Sequence, residues 1–428
     1  MSTLTGGLLH RDHLVTVPVD RADPTRFGSI DVLAREVVDP ARDGEDLPLL
    51  LFLQGGPGGQ GPRPAAGGWL ATATRTHRVV LLDQLGTGRS GAVTATSIAR
   101  FPDAATAADY LACFRGDAIV ADAEDVRQQV YGGRRWATLG QSYGGFLTLV
   151  YLSRHPDAIT AAHVTGGLPG IAADAEEVYR RTFDLQLARN RELARRFPDD
   201  VTTLGALADR AEAGEVVLPT GETLSARRLQ LLGMPFGVST GVEALHWVLE
   251  TGVEPDGSPT PSLRAFIAQE TGFAANPLYA VLQEAIYHQG ERAPGWAAAS
   301  ELQRRPAFAT SARPLQLTGE AMFPWMFAEI PSLRPFEAVA HELAARPSWP
   351  ALYDADALAR NEVPLAAVQY VHDPYVDLDL ALDTADAVGN SHVWVTNEFL
   401  HDGLRVSGDV ILPRLLDLTA GRRSVTRR

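Results

Sequence analysis

One stretch constrains this chain more than any other: Ala137-Thr138-Leu139-Gly140-Gln141-Ser142-Tyr143-Gly144-Gly145. Its first residues form a short apolar run that reads as a buried strand, and Phe146–His155 reads as a helix. Between them stands the pattern G-x-S-x-G. A chain that passes this abruptly from strand to helix holds the serine in strained backbone, and bulky residues two places to either side would collide. The helix that follows directs its N-terminal dipole at any negative charge developing near the serine. A glycine-rich turn with an incidental serine is the bland alternative, and the flanking strand and helix argue against it.

The surrounding sequence supplies the sheet that such a turn requires. Val15–Val19, Ser29–Val38, Leu49–Leu53, Val79–Leu82, Ala137–Leu139 and Ala161–Thr165 are short and largely apolar. Helical patterns, Asp117–Tyr131 and Phe146–His155, lie between the later ones. This alternation predicts a mostly parallel, doubly wound α/β sheet. After Thr165-Gly166-Gly167-Leu168-Pro169-Gly170 the character changes, and the chain reads as helical to about Arg346 through segments such as Glu176–Phe197, Gly241–Glu250 and Leu278–Gln289. Strand signals return at Leu365–Val371 and His392–Thr396, and a last helix covers Val410–Thr419. At 428 residues the chain exceeds a usual single core. The expected organisation is a core from residues 1–170 and 347–428, with a helical cap, 171–346, inserted between.

If Ser142 is a nucleophile, acyl transfer needs two backbone N–H donors aimed at the oxyanion, one from the residue after it and one from an upstream glycine-rich loop. Leu53-Gln54-Gly55-Gly56-Pro57-Gly58-Gly59 follows the strand Leu49–Leu53 and supplies that loop. The donors are therefore assigned to Gly56 and Tyr143. The segment Leu82-Asp83-Gln84-Leu85-Gly86-Thr87-Gly88-Arg89-Ser90 lacks the lysine of a phosphate-binding loop and reads as a structural turn.

The acid and then the base follow the serine in this chain order. His401, in Asn397-Glu398-Phe399-Leu400-His401-Asp402-Gly403, comes just after the last strand signal and before the last helix. The preceding strand ends in Val371-His372-Asp373-Pro374-Tyr375-Val376-Asp377. Asp373, directly at the strand end, is preferred to Asp377. His341-Glu342 lacks the second histidine of a zinc motif, and no other cluster has metal-ligand spacing.

Charge and composition exclude several other classes. A net charge of −14 lacks the basic footprint that nucleic acid or an anionic membrane surface requires. A single cysteine, Cys113, forms no internal disulfide. No basic start with a long apolar run marks a secretory signal, and no uninterrupted apolar stretch reaches about 18 residues. A cytoplasmic location is the default expectation.

With these residues in place, the chain resembles the proline iminopeptidases of the α/β-hydrolase superfamily, specifically the longer bacterial type. The resemblance runs through LQGGPGG, DQLGTGRS, GQSYGGF, TGGLPG, NPLYAVLQEAIY, LTGEAMFPWMF, VHDPYVD and NEFLHDGLR. Gln54 stands where many relatives have histidine; backbone donors make that departure inconsequential. The resemblance implies a serine exopeptidase that removes N-terminal proline from peptides or small amides with a free N-terminus, without metal or cofactor. It implies Ser142, Asp373 and His401 as the triad and Gly56 with Tyr143 as the oxyanion hole. It also implies that cap carboxylates bind the substrate amine. Glu284 with Tyr287, an E-x-x-Y pair on one face of the helix Leu278–Gln289, matches this best, and Glu320 and Glu250 are further candidates. An esterase or amidase acting on a small metabolite, or an aminopeptidase of broader specificity, would use the same triad. A catalytically dead binding fold is the reading from another class. Dialysis against EDTA should leave turnover intact; loss of activity with recovery on adding zinc or manganese would overturn this chemistry.

Overall fold

The computed structural model describes residues 2–65 and 67–426. Its centre is a nine-stranded sheet among the described residues, in the order β1-β2-β3-β5-β4-β6-β7-β8-β9. The strands are β1 (Ser2–Thr5), β2 (Leu8–Pro18), β3 (Ser29–Val38), β4 (Leu49–Leu53), β5 (Arg78–Leu82), β6 (Trp136–Gln141), β7 (Ile159–Thr165), β8 (Leu365–Tyr370) and β9 (Ser391–Thr396). From β5 to β9 every neighbour is parallel, whereas β1, β2 and β3 join antiparallel.

Side chains alternate across the central strands, and both faces are buried. Leu49, Leu51 and Leu53 of β4 pack on one face with Val80 and Leu82 of β5, while Leu50 and Phe52 face the other way with Val79 and Leu81. The helices Gly116–Tyr131 and Tyr143–Arg154 cover the first face through Ile119, Val126, Leu147 and Val150. The helix Gly403–Thr419 covers the second through Ile411, Leu412 and Leu415. This is the α/β-hydrolase fold, a mostly parallel, doubly wound sheet.

The sheet takes no strand from residues 166–364 among the described residues. That insertion is helical, with Ala175–Arg196, Pro198–Glu212, Gly241–Glu250, Pro261–Glu270 and Glu337–Ala345 among its elements. One part has a core of its own, including Leu207, Leu229, Phe236, Leu245, Leu263 and Leu317. Another part, including Phe183, Leu278, Phe323 and Phe327, joins the main core. The insertion is thus anchored to the sheet layer by shared apolar burial.

Several elements differ from their sequence reading: β1 was not expected, and the last helix begins at Gly403, ahead of the expected Val410. β2 begins at Leu8, well before the expected Val15, because its polar stretch is held by ion pairs as well as by the backbone ladder. Asp12 lies opposite Arg35 on β3 and bonds it at 2.7 Å, and Arg11 pairs with Glu36 and Asp43. The single helix expected over Leu278–Gln289 is a short helix, Pro277–Leu282, followed by a 3-10 turn, Glu284–Tyr287. Its end is pulled out of helical register by Arg115, which donates to the His288 carbonyl at 2.6 Å, and by pairing of Gly290 with Trp349.

The helix after Ser142 packs against β4 so closely that a Cβ at Gly144 would stand 1.9 Å from the Leu53 carbonyl oxygen. Helix propensity would reward Gly144→Ala by about 0.8–1.0 kcal/mol. Overpacking against immovable backbone costs about 1–3 kcal/mol or more, so the clash wins. Gly144→Ala should lower the denaturant midpoint or prevent folding; a variant as stable as wild type would contradict this packing.

Candidate active site

Three backbone segments close on Ser142. It stands between β6 and the helix Tyr143–Arg154 with φ 56° and ψ −124°, outside the regions that L-residues ordinarily occupy. Its N–H donates to the Thr165 carbonyl at the end of β7 at 3.0 Å, and its own carbonyl accepts from Gly145 at 2.7 Å. A Cβ at Gly140 would lie 2.2 Å from the Gly144 carbonyl oxygen, and one at Gly167 equally close to that of Ser142. The helix begins at Tyr143, immediately after the serine, so its first N–H groups have no partner within the helix.

The loop after β4 passes directly over this turn. A Cβ at Gly55 would meet the Ser142 Cβ at 3.0 Å, and Gly56 adopts φ 128°, which only glycine tolerates. Two residues that sequence reasoning read only as part of a turn hold this loop. Gln84 donates to the Gln54 carbonyl at 2.8 Å. Buried Asp83 accepts from the Gly61 N–H at 3.0 Å and binds Arg63 and the Arg89 N–H. The insertion seals the outer side: Asn276 caps the helix Pro277–Leu282 and abuts Gly58.

His401 and Asp373 are brought together by the loops after β9 and β8. Nδ1 of His401 lies 2.6 Å from Oδ2 of Asp373, and both side chains are buried. The other Asp373 oxygen, Oδ1, accepts from the backbone N–H groups of Tyr375 at 2.9 Å and Val376 at 3.3 Å, which fixes the carboxylate plane. Gly166 packs against His401 Nδ1 as Gly167 packs against the Ser142 backbone. Consecutive residues after β7 therefore touch both the imidazole and the serine. Asp377 has other work: Oδ1 caps its own helix, Leu378–Ala387, through Leu380 and also pairs with Arg181.

Burial alone would push the His401 pKa down. The charge and hydrogen bond of Asp373, with Glu320 and Asp402 nearby, outweigh it and hold the pKa above the ordinary histidine value.

Of the four expected substrate-binding residues, Glu284, Tyr287 and Glu320 lie within electrostatic reach of Tyr179, and Glu250 stands apart. Glu284 is buried, and its two oxygens accept from Ala297 at 3.1 Å and Ala298 at 2.9 Å, the start of the helix Ala297–Gln303. Burial raises its pKa to about 7 against the opposing effect of these backbone bonds. Both oxygens thus hold a helix N-terminus, a structural role beside the expected one as leading amine ligand. Glu250 is corrected, since it is exposed at the end of the helix Gly241–Glu250. Glu320 is the carboxylate within electrostatic reach of Asp373 and His401. Burial raises its pKa, while a hydrogen bond donated by the Tyr279 hydroxyl and the proximity of His401 oppose that shift. Tyr287 packs its ring against Phe146 and Tyr179, with centroids 6.1 and 6.0 Å away, and senses the charges of Glu320 and Asp373. Sequence reasoning missed Tyr279, for which no periodicity gives a signal.

A family model described as the alpha/beta hydrolase fold matches residues 48–209. A proline iminopeptidase of Aeromonas sobria is 40% identical over 414 residues, spanning 96% of this chain and 97% of that protein. Proline iminopeptidase aneH of Aspergillus aculeatus is 33% identical over 421 residues, spanning 95% of this chain and 92% of that one.

The two carboxylates after β8 give separable outcomes. Asp373→Asn should lower kcat by roughly 10⁴-fold, the effect of losing the group that fixes the histidine tautomer. Asp377→Asn should instead lower thermal stability slightly, through a weakened cap, with kcat near wild type. Ser142→Ala should leave a folded protein with turnover reduced by about 10⁴–10⁶. A crippling Asp377→Asn would reassign the acid.

Proposed function

Because the chain belongs to the proline iminopeptidase family, we propose that it releases proline from the N-terminus of peptides through an acyl-enzyme on Ser142. The observation that carries this reading is the buried His401–Asp373 pair at 2.6 Å, packed through Gly166 and Gly167 beside a serine in strained backbone.

In this mechanism Asp373 accepts the Nδ1–H of His401 and leaves Nε2 free to take the Ser142 proton. The serine oxygen attacks the prolyl carbonyl, and the N–H groups of Gly56 and Tyr143 hold the oxyanion. His401 then returns the proton to the departing amine. Water, deprotonated by the same imidazole, cleaves the prolyl ester. No metal or cofactor takes part. Residues 171–346 act as a cap that shapes the pocket over Ser142.

An exopeptidase must recognise the chain end, and the charged amine is what marks it. Glu320 serves that purpose: it is desolvated, oriented by the Tyr279 hydroxyl and near His401. A charge-assisted hydrogen bond there contributes roughly 1.5–3 kcal/mol, about 10- to 150-fold in binding. Tyr279 bonds it directly, and Tyr179, Tyr287 and Tyr375 lie within electrostatic reach, so aromatic surface suited to a pyrrolidine ring is at hand.

The pH profile follows from the direction of the His401 shift. Turnover needs the neutral imidazole, and a raised pKa keeps the proton on to higher pH. The acid limb of kcat/KM should therefore lie above the reference histidine value of about 6.5. Glu320→Gln removes one of the charges that raise it, so the limb should move to lower pH. On the plateau, the same variant should reduce kcat/KM for proline naphthylamide about 10- to 150-fold while small-ester hydrolysis stays near wild type. Blocking the proline nitrogen should abolish cleavage. If N-blocked and free substrates turn over alike, the esterase or amidase reading replaces this one.

A further inference from the structure

The segment Met234–Ser239 lies in the insertion, yet it bonds to both loops that carry the acid and the base. The His401 N–H donates to the Gly237 carbonyl at 3.0 Å. Ser239 donates twice to Asp402 Oδ1, from its N–H at 2.9 Å and its hydroxyl at 2.6 Å. The Tyr375 hydroxyl accepts from the Gly237 N–H at 3.0 Å and donates to the Met234 carbonyl. Tyr375 in turn follows Asp373 by two residues, bonds it through its own N–H, and sets its ring edge-on to His401 with centroids 4.9 Å apart. These contacts meet at Gly237, where a Cβ would stand 2.2 Å from the Tyr375 ring.

Asp402 supplies an independent indication. It occupies the N-cap position of the helix Gly403–Thr419, where an aspartate ordinarily accepts from its own helix, yet its side chain makes no such cap. One oxygen is turned to Ser239 and the other to Arg405. A stabilising local bond is thus replaced by a contact across to the insertion, on the residue adjacent to His401.

We propose that Met234–Ser239 is a positioning clamp for the His401 imidazole, with Ser239 and Asp402 as its positioning residues. The proposal deepens the triad reading above and rests on it. An imidazole acting between Asp373 and Ser142 must be held to about 0.5 Å and 10–20°. β9 and the following helix fix only the ends of its loop, and the clamp fixes the middle. The seat of the insertion therefore sets kcat, in addition to governing access to the pocket. Among the described residues Ser239 bonds to Asp402 and to no member of the triad or Glu320, so its effect is transmitted through Asp402 and the backbone of His401.

The test uses the full-length protein, with kcat expressed per Ser142 titrated by a phosphonofluoridate, so that unfolded chains do not count. Ser239→Ala should lower kcat for proline naphthylamide about ten- to a hundredfold, the scale of a misplacement near 1 Å, with KM close to wild type. Its rate of phosphonofluoridate labelling should fall in parallel. Asp402→Ala, which removes the Ser239 N–H bond and a charge near His401 as well, should lower kcat on its pH plateau at least as far, and the double variant should be no worse than Asp402→Ala, since the Ser239 hydroxyl then has no Asp402 bond left to lose. Wild-type kcat per titrated site in Ser239→Ala, or additive losses in the double variant, would overturn the clamp. Failure of the triad reading would look different: Ser142→Ala would still label, or His401→Ala would label at the wild-type rate.

Discussion

The structure depends on a close approach of backbone to backbone at the end of β6. The carbonyls of Leu53, Gly144 and Ser142 each lie where a side-chain carbon on a facing glycine would have to be, at 1.9, 2.2 and 2.2 Å. Contacts of that kind do not relax by rotamer change. They oblige β4, β6 and the loop after β7 to meet around one residue, and Ser142 absorbs the geometry with φ 56°. The strain persists because surrounding structure over-determines it: the Thr165 carbonyl takes its N–H, and the helix Tyr143–Arg154 is buried along most of its length. The loop over the turn, the start of the helix and the glycines beside His401 all inherit their positions from this junction.

Around it the electrostatics are arranged by burial more than by charge count. His401 is pulled toward its neutral form by desolvation and toward its charged form by Asp373, Glu320 and Asp402, and the carboxylates prevail. Glu320 is pulled the opposite way, toward protonation by burial, and is restrained by the Tyr279 hydroxyl and by His401. The many surface arginine–carboxylate pairs, such as Arg35–Asp12 and Arg180–Glu177, are a different matter; they order strands and helices and contribute little each.

The insertion is tied to the sheet layer in two physically distinct ways. Apolar burial of Leu278, Phe323 and Phe327 gives most of the attachment and is insensitive to small shifts. Hydrogen bonds at Gly237 and Ser239 are directional, and they fall on the loops carrying His401 and Asp373, while Asn276 packs against Gly58 of the loop over Ser142. The first kind holds the insertion in place and the second gives it a register relative to the chemistry.

Much was legible from sequence because it is local. The turn at Ser142 follows from glycines two residues away, β4 and β8 from continuous apolar runs, and the place of Asp373 and His401 from strand ends in a fixed chain order. β1 and the polar first half of β2 were not legible, since cross-strand partners such as Arg35 for Asp12 carry no signal along the chain. The partners of the insertion's carboxylates were not legible for the same reason. Glu284 and Glu320 look alike as sequence, and each lies near tyrosines. Folding commits Glu284 to the helix that begins 13 residues later and gives Glu320 to the Tyr279 hydroxyl, within electrostatic reach of His401. The sequence by itself determined the fold, the turn and the chemical groups. Only the tertiary structure decided which carboxylate caps a helix and which segment bonds the His401 backbone, because both depend on hydrogen bonds between residues far apart in the chain, whose partners are chosen by packing.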